Sequence, residues 1–223
     1  AAPSTTAIAR FSTGENPSGE DRILRVRLPE GYEQTDRRYP VLYRLDGNAP
    51  VFLETSGAVE YLVDMTDKVP DHIVVGVENT DRRRDMNPEG GAEKFARFIT
   101  TELVPFVEGQ YRASGFRILM GQSFSALFVL HLFLREPAAF DAYILSSPGL
   151  YKDALVPLFE RELADSGRWA KAGRRLLFVA VGKRDSYDPD GSITARSAGF
   201  LAAVTRKAPA VVVKSTTYED EGH

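Results

Sequence analysis

The 223-residue chain has no cysteine, three histidines and a single tryptophan. Without cysteine there is no disulfide framework, thiolate zinc site, iron–sulfur cluster or thiol nucleophile. With three histidines, imidazole-dependent chemistry has three candidates: His72, His131 and His223. No stretch approaches the roughly 20 apolar residues that a membrane-spanning helix needs. Charge of neither sign dominates, with 28 Lys plus Arg against 31 Asp plus Glu and a net charge of −3. That balance is not the strongly basic footprint of a nucleic-acid partner. The one concentrated basic run is Arg82-Arg83-Arg84, and three arginines in a row read equally well as a solvated loop.

The remaining composition, 43% hydrophobic and 26% charged, is that of an ordinary globular chain. A chain of this length can bury roughly 70% of its unfolded surface in one core, so a single domain over residues 1–223 is expected. The start, Ala1-Ala2-Pro3-Ser4-Thr5-Thr6, has no Met and no charged-then-apolar leader. It fits cleavage of a signal peptide after small residues, hence a periplasmic or secreted location, and it fits a trimmed chain equally. Residues 1–20 read as a loosely ordered arm.

Apolar runs rich in β-branched residues alternate with helix-period segments. Ile23 to Leu28 alternates with arginines, as a half-exposed edge strand would. Val41 to Leu45 is a strand ended by the turn residues Asp46-Gly47-Asn48, and Ile73 to Val77 is apolar on both faces. Ile118–Met120, Tyr143–Leu145, Leu176–Val181 and Val211–Val213 continue the series, with helices predicted over 54–65, 92–110, 124–136, 152–165 and 193–207. This alternation predicts an α/β fold with a mainly parallel central sheet and helices on both faces. The segment 150–175, which carries Trp169, reads as a small cap or as a plain crossover helix with its loop.

The chemistry concentrates in Phe116-Arg117-Ile118-Leu119-Met120-Gly121-Gln122-Ser123-Phe124-Ser125-Ala126-Leu127. A strand runs through Gly-x-Ser-x-small straight into an apolar helix, the context of a nucleophile elbow. The serine must occupy a strained turn above the sheet, and its neighbours must be small because strand and helix nearly touch. Gly121 and Ala126 satisfy this, and Ser125 stands where a second glycine is usual. A helix starting at Phe124 directs its N–H groups and positive end toward a developing oxyanion.

A serine hydroxyl needs a base, which in this architecture comes late, in the order serine, acid, histidine. His131 lies on the helix behind the elbow and reads as a packed histidine. His72 precedes a strand, at the amino end of the sheet, and reads as a surface turn; ligands bind at the carboxyl ends. His223 follows the strand around Val211–Val213 and the loop Tyr218-Glu219-Asp220-Glu221-Gly222, so it is the candidate base. The orienting acid is sought after Leu176–Gly182, where Asp185 is best placed, with Asp188 or no conventional third member as the alternatives; turn-favouring aspartates are common in such loops. The second oxyanion donor, besides the Phe124 N–H, is expected from Gly47 or Asn48, although a simple turn has the same sequence.

Several segments resemble one known family. Tyr39-Pro40-Val41-Leu42-Tyr43-Arg44-Leu45-Asp46-Gly47-Asn48 resembles the signature of the putative-esterase family of α/β-hydrolases, which includes esterase D-like enzymes and enterochelin esterases. Arg84-Asp85-Met86-Asn87-Pro88 is similar to its "RDxTP" loop, and Phe95 to Tyr111 to its helix with the "ELIP" run. Gly121 to Ala126 matches its elbow, and Ser146-Ser147-Pro148-Gly149-Leu150-Tyr151 resembles its "ASPSLWW" segment. Gly222-His223 matches its histidine, after which the family normally continues, so the chain is expected to extend past His223.

The resemblance spans about residues 20 to 223. It implies an α/β-hydrolase fold and a serine esterase acting on carboxylic esters, catecholate siderophore esters among them, with no metal or organic cofactor. Ser123 is then the nucleophile, His223 the base, and Gly47 or Asn48 with Phe124 the oxyanion donors. In siderophore-processing relatives a basic loop attracts anionic ligands, which gives Arg82, Arg83 and Arg84, with Tyr151, a substrate-contact role. Two positions depart from the pattern: Ser125 at the elbow, and Lys183-Arg184-Asp185 at the acid site, where Glu is often found. An acyltransferase of the same architecture and a non-catalytic ligand-binding homologue remain the alternatives. Oligomeric state is not legible.

Overall fold

Ile73–Val77 is apolar on both faces, the composition of a strand covered on either side, and Val41–Leu45 is apolar but for the buried Arg44. In the computed structural model they pair parallel, Val41 opposite Ile73 and Leu45 opposite Val77. The structure describes residues 6–11, 21–66, 69–150 and 155–222. The chain divides into two units, 1–119 and 120–223.

In the first unit, β1 (Thr6–Phe11), β2 (Arg22–Arg27), β3 (Tyr39–Leu45) and β4 (Ile73–Val77) lie in the order β1-β2-β4-β3. β2 is antiparallel to both β1 and β4. It is therefore an internal strand, not the half-exposed edge that its arginines suggested. Those arginines are neutralised where they stand. Arg22 meets Asp85 at 2.6 Å, Arg25 Nε meets Glu78 at 2.9 Å, and Arg27 meets Glu60 at 3.0 Å. The segment expected to be a loose arm supplies β1, whose six residues pair in register with β2.

Among the described residues the α-helices of this unit are α1 (Ala49–Thr66), the short α2 (Arg82–Asp85), α3 (Ala92–Phe98) and α4 (Val104–Gln110). The helix predicted over 92–110 is continuous but widens into a π-helical stretch at Ile99–Leu103. Pro105 follows at the start of α4. It has no N–H to give to the preceding turn, which is where a helix most easily departs from the regular hydrogen-bond spacing.

β5 (Ala113–Gln122) carries the chain from the first unit into the second. There α5 (Phe124–Arg135), β6 (Ala142–Ser146), α6 (Leu155–Leu163), α7 (Ser166–Ala172), β7 (Arg175–Gly182), α8 (Ser192–Lys207) and β8 (Val211–Tyr218) follow. β6, β7 and β8 are parallel neighbours. α5 is apolar around its whole circumference, the signature of a helix enclosed on all sides, and every residue from Ser125 to Leu134 is buried.

Phe133 packs edge-on against Tyr143 of β6 at 5.1 Å, and tilted against Trp169 of α7 at 5.2 Å. Trp169 is buried, and its indole N–H donates to the Leu163 carbonyl at 3.2 Å. Residues 155–172 thus supply α6 and α7 on the crossover between β6 and β7, with Trp169 packed on Phe133; residues 151–154 lie outside the described residues. Between α5 and these helices, the buried Glu162 accepts from Arg135 and from Arg168, each at 2.8 Å. Among the described residues no helix is long and apolar enough to cross a membrane.

Candidate active site

The turn between β5 and α5 is built around one strained residue. Ser123 has φ 57° and ψ −121°, positive φ on a non-glycine residue. A conformation of this kind costs roughly 1–3 kcal/mol and persists only where its surroundings impose it. Here they do. The Ser123 N–H donates to the Ser146 carbonyl at 2.9 Å, at the end of β6. The Ser123 carbonyl accepts from Leu127 N–H at 3.1 Å and from Gly149 N–H at 3.4 Å.

The small neighbours follow from contact distance. A Cβ on Gly121 would lie 2.6 Å from the Ser125 carbonyl carbon and 2.7 Å from the Ala126 nitrogen, so strand and helix touch backbone to backbone. Ser125 is fully buried. Its hydroxyl donates to the Gln122 carbonyl at 2.8 Å and accepts from the Gln122 N–H at 2.9 Å.

The carboxyl end of β7 is shaped by Gly182. A Cβ there would sit 2.2 Å from the Gly222 carbonyl oxygen and 2.4 Å from that of Glu221. Only glycine lets the chain leading to residue 223 cross the end of this strand. The crossing is stitched by Lys183 N–H to Tyr218 O and Arg184 N–H to Glu221 O, both at 2.9 Å. Lys183 and Arg184, which depart from the family pattern, pair with Glu219 at 2.8 Å and Asp220 at 2.6 Å. The basic pair thus fastens the loop before His223. His223 itself lies outside the described residues, as does Tyr151.

Asp185 and Asp188 separate by what holds their oxygens. Asp188 Oδ1 accepts from Ile193 N–H at 2.7 Å, and Oδ2 accepts from Thr194 N–H at 2.8 Å and Thr194 Oγ1 at 2.7 Å. Burial pushes this carboxyl up, and the hydrogen bonds from Ile193 and Thr194 outweigh it, leaving its pKa below the usual carboxylate value. Asp188 is a cap for α8. Asp185 is buried, two residues beyond the Lys183 amide that pairs with Tyr218, and Oδ1 accepts the Tyr187 N–H at 2.8 Å.

In the first unit the loop after β3 is equally constrained, but differently from the expectation. The Gly47 N–H donates to the Val77 carbonyl at 2.9 Å, and the Asn48 N–H closes onto the Asp46 carbonyl at 2.8 Å. Both amides predicted as oxyanion donors are thus engaged with backbone carbonyls. Gly47 is required sterically, since a Cβ would come within 2.3 Å of the Val77 nitrogen. Asp46, at φ 56°, accepts from Arg82 Nε and Nη2 at 2.7 and 2.9 Å and from Asn79 Nδ2 at 2.5 Å.

Arg82 is therefore a brace for this turn, and Arg84 pairs with Asp85 at 2.7 Å. Arg83 is exposed and, among the described residues, forms no ion pair. His72 is buried, not on a surface turn; its Nδ1 lies against the Pro70 carbonyl, and burial lowers its pKa, with that contact and Asp71 opposing. His131 packs within α5 against Phe128, with ring centroids 6.4 Å apart.

Sequence reasoning missed the Ser125 hydroxyl bridge and the Lys183–Arg184 clasp. Basic residues alternating with the acidic loop 219–221 were the available signal for the clasp; for the bridge there was none beyond serine in a glycine position.

Comparison with known proteins bears on the whole chain. The family profile described as putative esterase matches residues 16–188. The siderophore triacetylfusarinine C esterase of Aspergillus fumigatus is 30% identical over 78% of this chain and 68% of its own length. The ferri-bacillibactin esterase BesA of Bacillus subtilis is 35% identical over 51% of this chain and 48% of its own, so the chain spans about half of that relative. Among solved structures, an IroE-like serine hydrolase from Shewanella oneidensis superposes with a TM-score of 0.87 at 25% identity, over 99% of this chain and 75% of its own. The siderophore hydrolase EstA from Aspergillus nidulans gives 0.82 at 20% identity, over 98% and 88%. The fold of the chain is that of the α/β serine hydrolases.

Proposed function

Because this chain belongs to the putative-esterase family of α/β-hydrolases, we propose that it hydrolyses siderophore esters, catecholate trilactones among them, with Ser123 as nucleophile, His223 as base and Asp185 as the acid that orients it. The observation that carries the reading is the Ser123 turn: a positive-φ serine at the junction of strand and buried helix, held by Ser146, Gly149 and Leu127. Strain maintained at one serine is characteristic of a reacting group. The curated relatives named above, and a siderophore enterobactin esterase of Emericella nidulans 31% identical over 49% of this chain, support the substrate class.

In this reading Ser123 Oγ attacks the ester carbonyl as its proton passes to His223. The carbonyl oxygen becomes an oxyanion at the N-terminus of α5, where the Phe124 N–H and the positive end of a 12-residue helix stabilise it. The intermediate collapses, His223 protonates the departing alcohol, and an acyl-serine remains. Water deprotonated by His223 then attacks the acyl carbon and releases the acid. Asp185 holds the imidazole in the required tautomer. The stitched crossing of residues 218–222 over the end of β7 supports its assignment, because it holds the chain as far as Gly222 against the segment Gly182–Arg184 that leads into Asp185.

Two measurements test this. With a ferric tris-catecholate trilactone and 4-nitrophenyl acetate as competing substrates, kcat/KM is expected to be at least about tenfold higher for the trilactone, a difference of roughly 1.4 kcal/mol in transition-state binding. Equal or lower values on the trilactone remove the siderophore assignment and leave the esterase. For the acid, Asp185→Asn is expected to lower kcat by about 10²–10⁴-fold, since the wrong tautomer is then favoured. Asp188→Ala is expected to cost about 1 kcal/mol of stability as a lost helix cap, with kcat within a few fold of wild type. The reverse pattern would transfer the role to Asp188.

A further inference from the structure

We propose that Ser125 is a positioning residue for the nucleophile: its hydroxyl pins the peptide group that precedes Ser123 and so keeps the strained turn in its reactive form. The proposal rests on the reading of Ser123 as nucleophile. The group linking residues 122 and 123 carries two polar atoms, the Gln122 carbonyl oxygen and the Ser123 N–H. Rotation of that plane is the motion by which Ser123 would leave φ 57° for an ordinary conformation, because it changes ψ of residue 122 and φ of residue 123 together.

Both atoms are held, by different elements. The Ser123 N–H donates to Ser146 at the end of β6, at 2.9 Å. The Gln122 carbonyl accepts from the Ser125 hydroxyl at 2.8 Å. The same hydroxyl accepts from the Gln122 N–H at 2.9 Å, so it also restrains the plane on the other side of Gln122. A single side chain thus spans both peptide groups flanking residue 122, from the first turn of α5, in a position with no solvent exposure.

Sterics alone would be met by glycine. The contact between Gly121 and the Ser125 backbone requires a close approach of strand and helix, and an unbranched small residue at 125 suffices. Serine keeps that small size and adds a hydroxyl whose donor and acceptor capacities are both used locally. Serine inside a helix normally weakens it by competing for backbone groups. Here the backbone groups it captures belong to the end of the preceding strand and not to its own helix. Removing the hydroxyl takes away the restraint that α5 places on the 122–123 plane, and Ser123 Oγ then samples orientations away from the attack line. Misplacement of a reacting atom by about 1 Å costs on the order of 100-fold.

The test uses the full chain with Ser125→Ala and Ser125→Gly, Ser123→Ala as control, and rates taken per folded molecule as judged by circular dichroism. Both Ser125 variants are expected to lose about 10–100-fold in kcat with KM within twofold, and their rate of labelling by a fluorophosphonate should fall in parallel. Alanine and glycine should behave alike, because both lack the hydroxyl while differing in bulk. If kcat stays within twofold of wild type in both, the pinning role is overturned. Loss confined to glycine, or loss appearing as raised KM, also overturns it, since either points to packing or substrate binding. Activity retained by Ser123→Ala would instead overturn the nucleophile itself, so the two failures are told apart.

Discussion

Ser123→Ala is expected to lower ester hydrolysis by about 10⁴–10⁶-fold, the scale on which removal of a triad serine acts, and to abolish fluorophosphonate labelling. Stability should change little, because Ser123 is only half-buried and alanine inherits the same positive φ. Ser123→Gly separates chemistry from strain: it should be as inactive as alanine, yet more stable than wild type by about 0.5–1 kcal/mol, since glycine adopts φ 57° without steric cost. Hydrolysis rates and urea midpoints on the three proteins give the comparison. Residual activity of a few per cent in the alanine variant would place the nucleophile elsewhere. A glycine variant no more stable than alanine would mean that the turn carries no strain.

The largest effect on stability is expected at Asp85. Its partner Arg22 is 2% exposed, and the guanidinium lies 4.7 and 4.9 Å above the rings of Phe95 and Phe98. Nη2 donates to Asp85 Oδ2 at 2.6 Å, while Nε and Nη1 are buried without a hydrogen-bond partner. An arginine cannot shed its proton to escape this environment. Asp85→Ala therefore leaves a buried cation beside two aromatic faces, and removal of one partner of such a pair costs about 3–5 kcal/mol. Arg84, whose Nε donates to the other Asp85 oxygen at 2.7 Å, loses its partner as well. Replacing both partners with Arg22→Met and Asp85→Leu should recover most of the loss, because no charge is then buried. Urea denaturation of the single and double variants measures this. A single-variant cost below about 1 kcal/mol would mean that the aromatic faces alone hold Arg22.

The elbow was legible because its constraints are local. Gly121, Ser123, Ser125 and Ala126 lie within six residues, and the need for small neighbours around a strained serine is a matter of contact distance along one short stretch of chain. The strands were legible for a similar reason: β4 announces two-sided burial in its own side chains, and β3 ends at the turn residues that follow it. The scarcity of histidine sorted its own members, with His131 packed inside α5 as expected and His72 buried where a surface turn was predicted.

Composition and periodicity thus determined the α/β class, and the local spacing of small residues around Ser123 determined where the strained turn falls. Tertiary structure alone decided which charges are neutralised and which backbone groups are free to act. Arg22 and Arg25 meet carboxylates 63 and 53 residues away, and Lys183 meets one 36 residues away. β1 exists through its register with β2, Asp188 is claimed by the start of α8, and the Gly47 amide is claimed by β4. The division has one physical origin: steric limits act between neighbours in the chain, whereas a charge or a peptide group finds its partner only when distant segments are brought together by burial of the apolar surface between them.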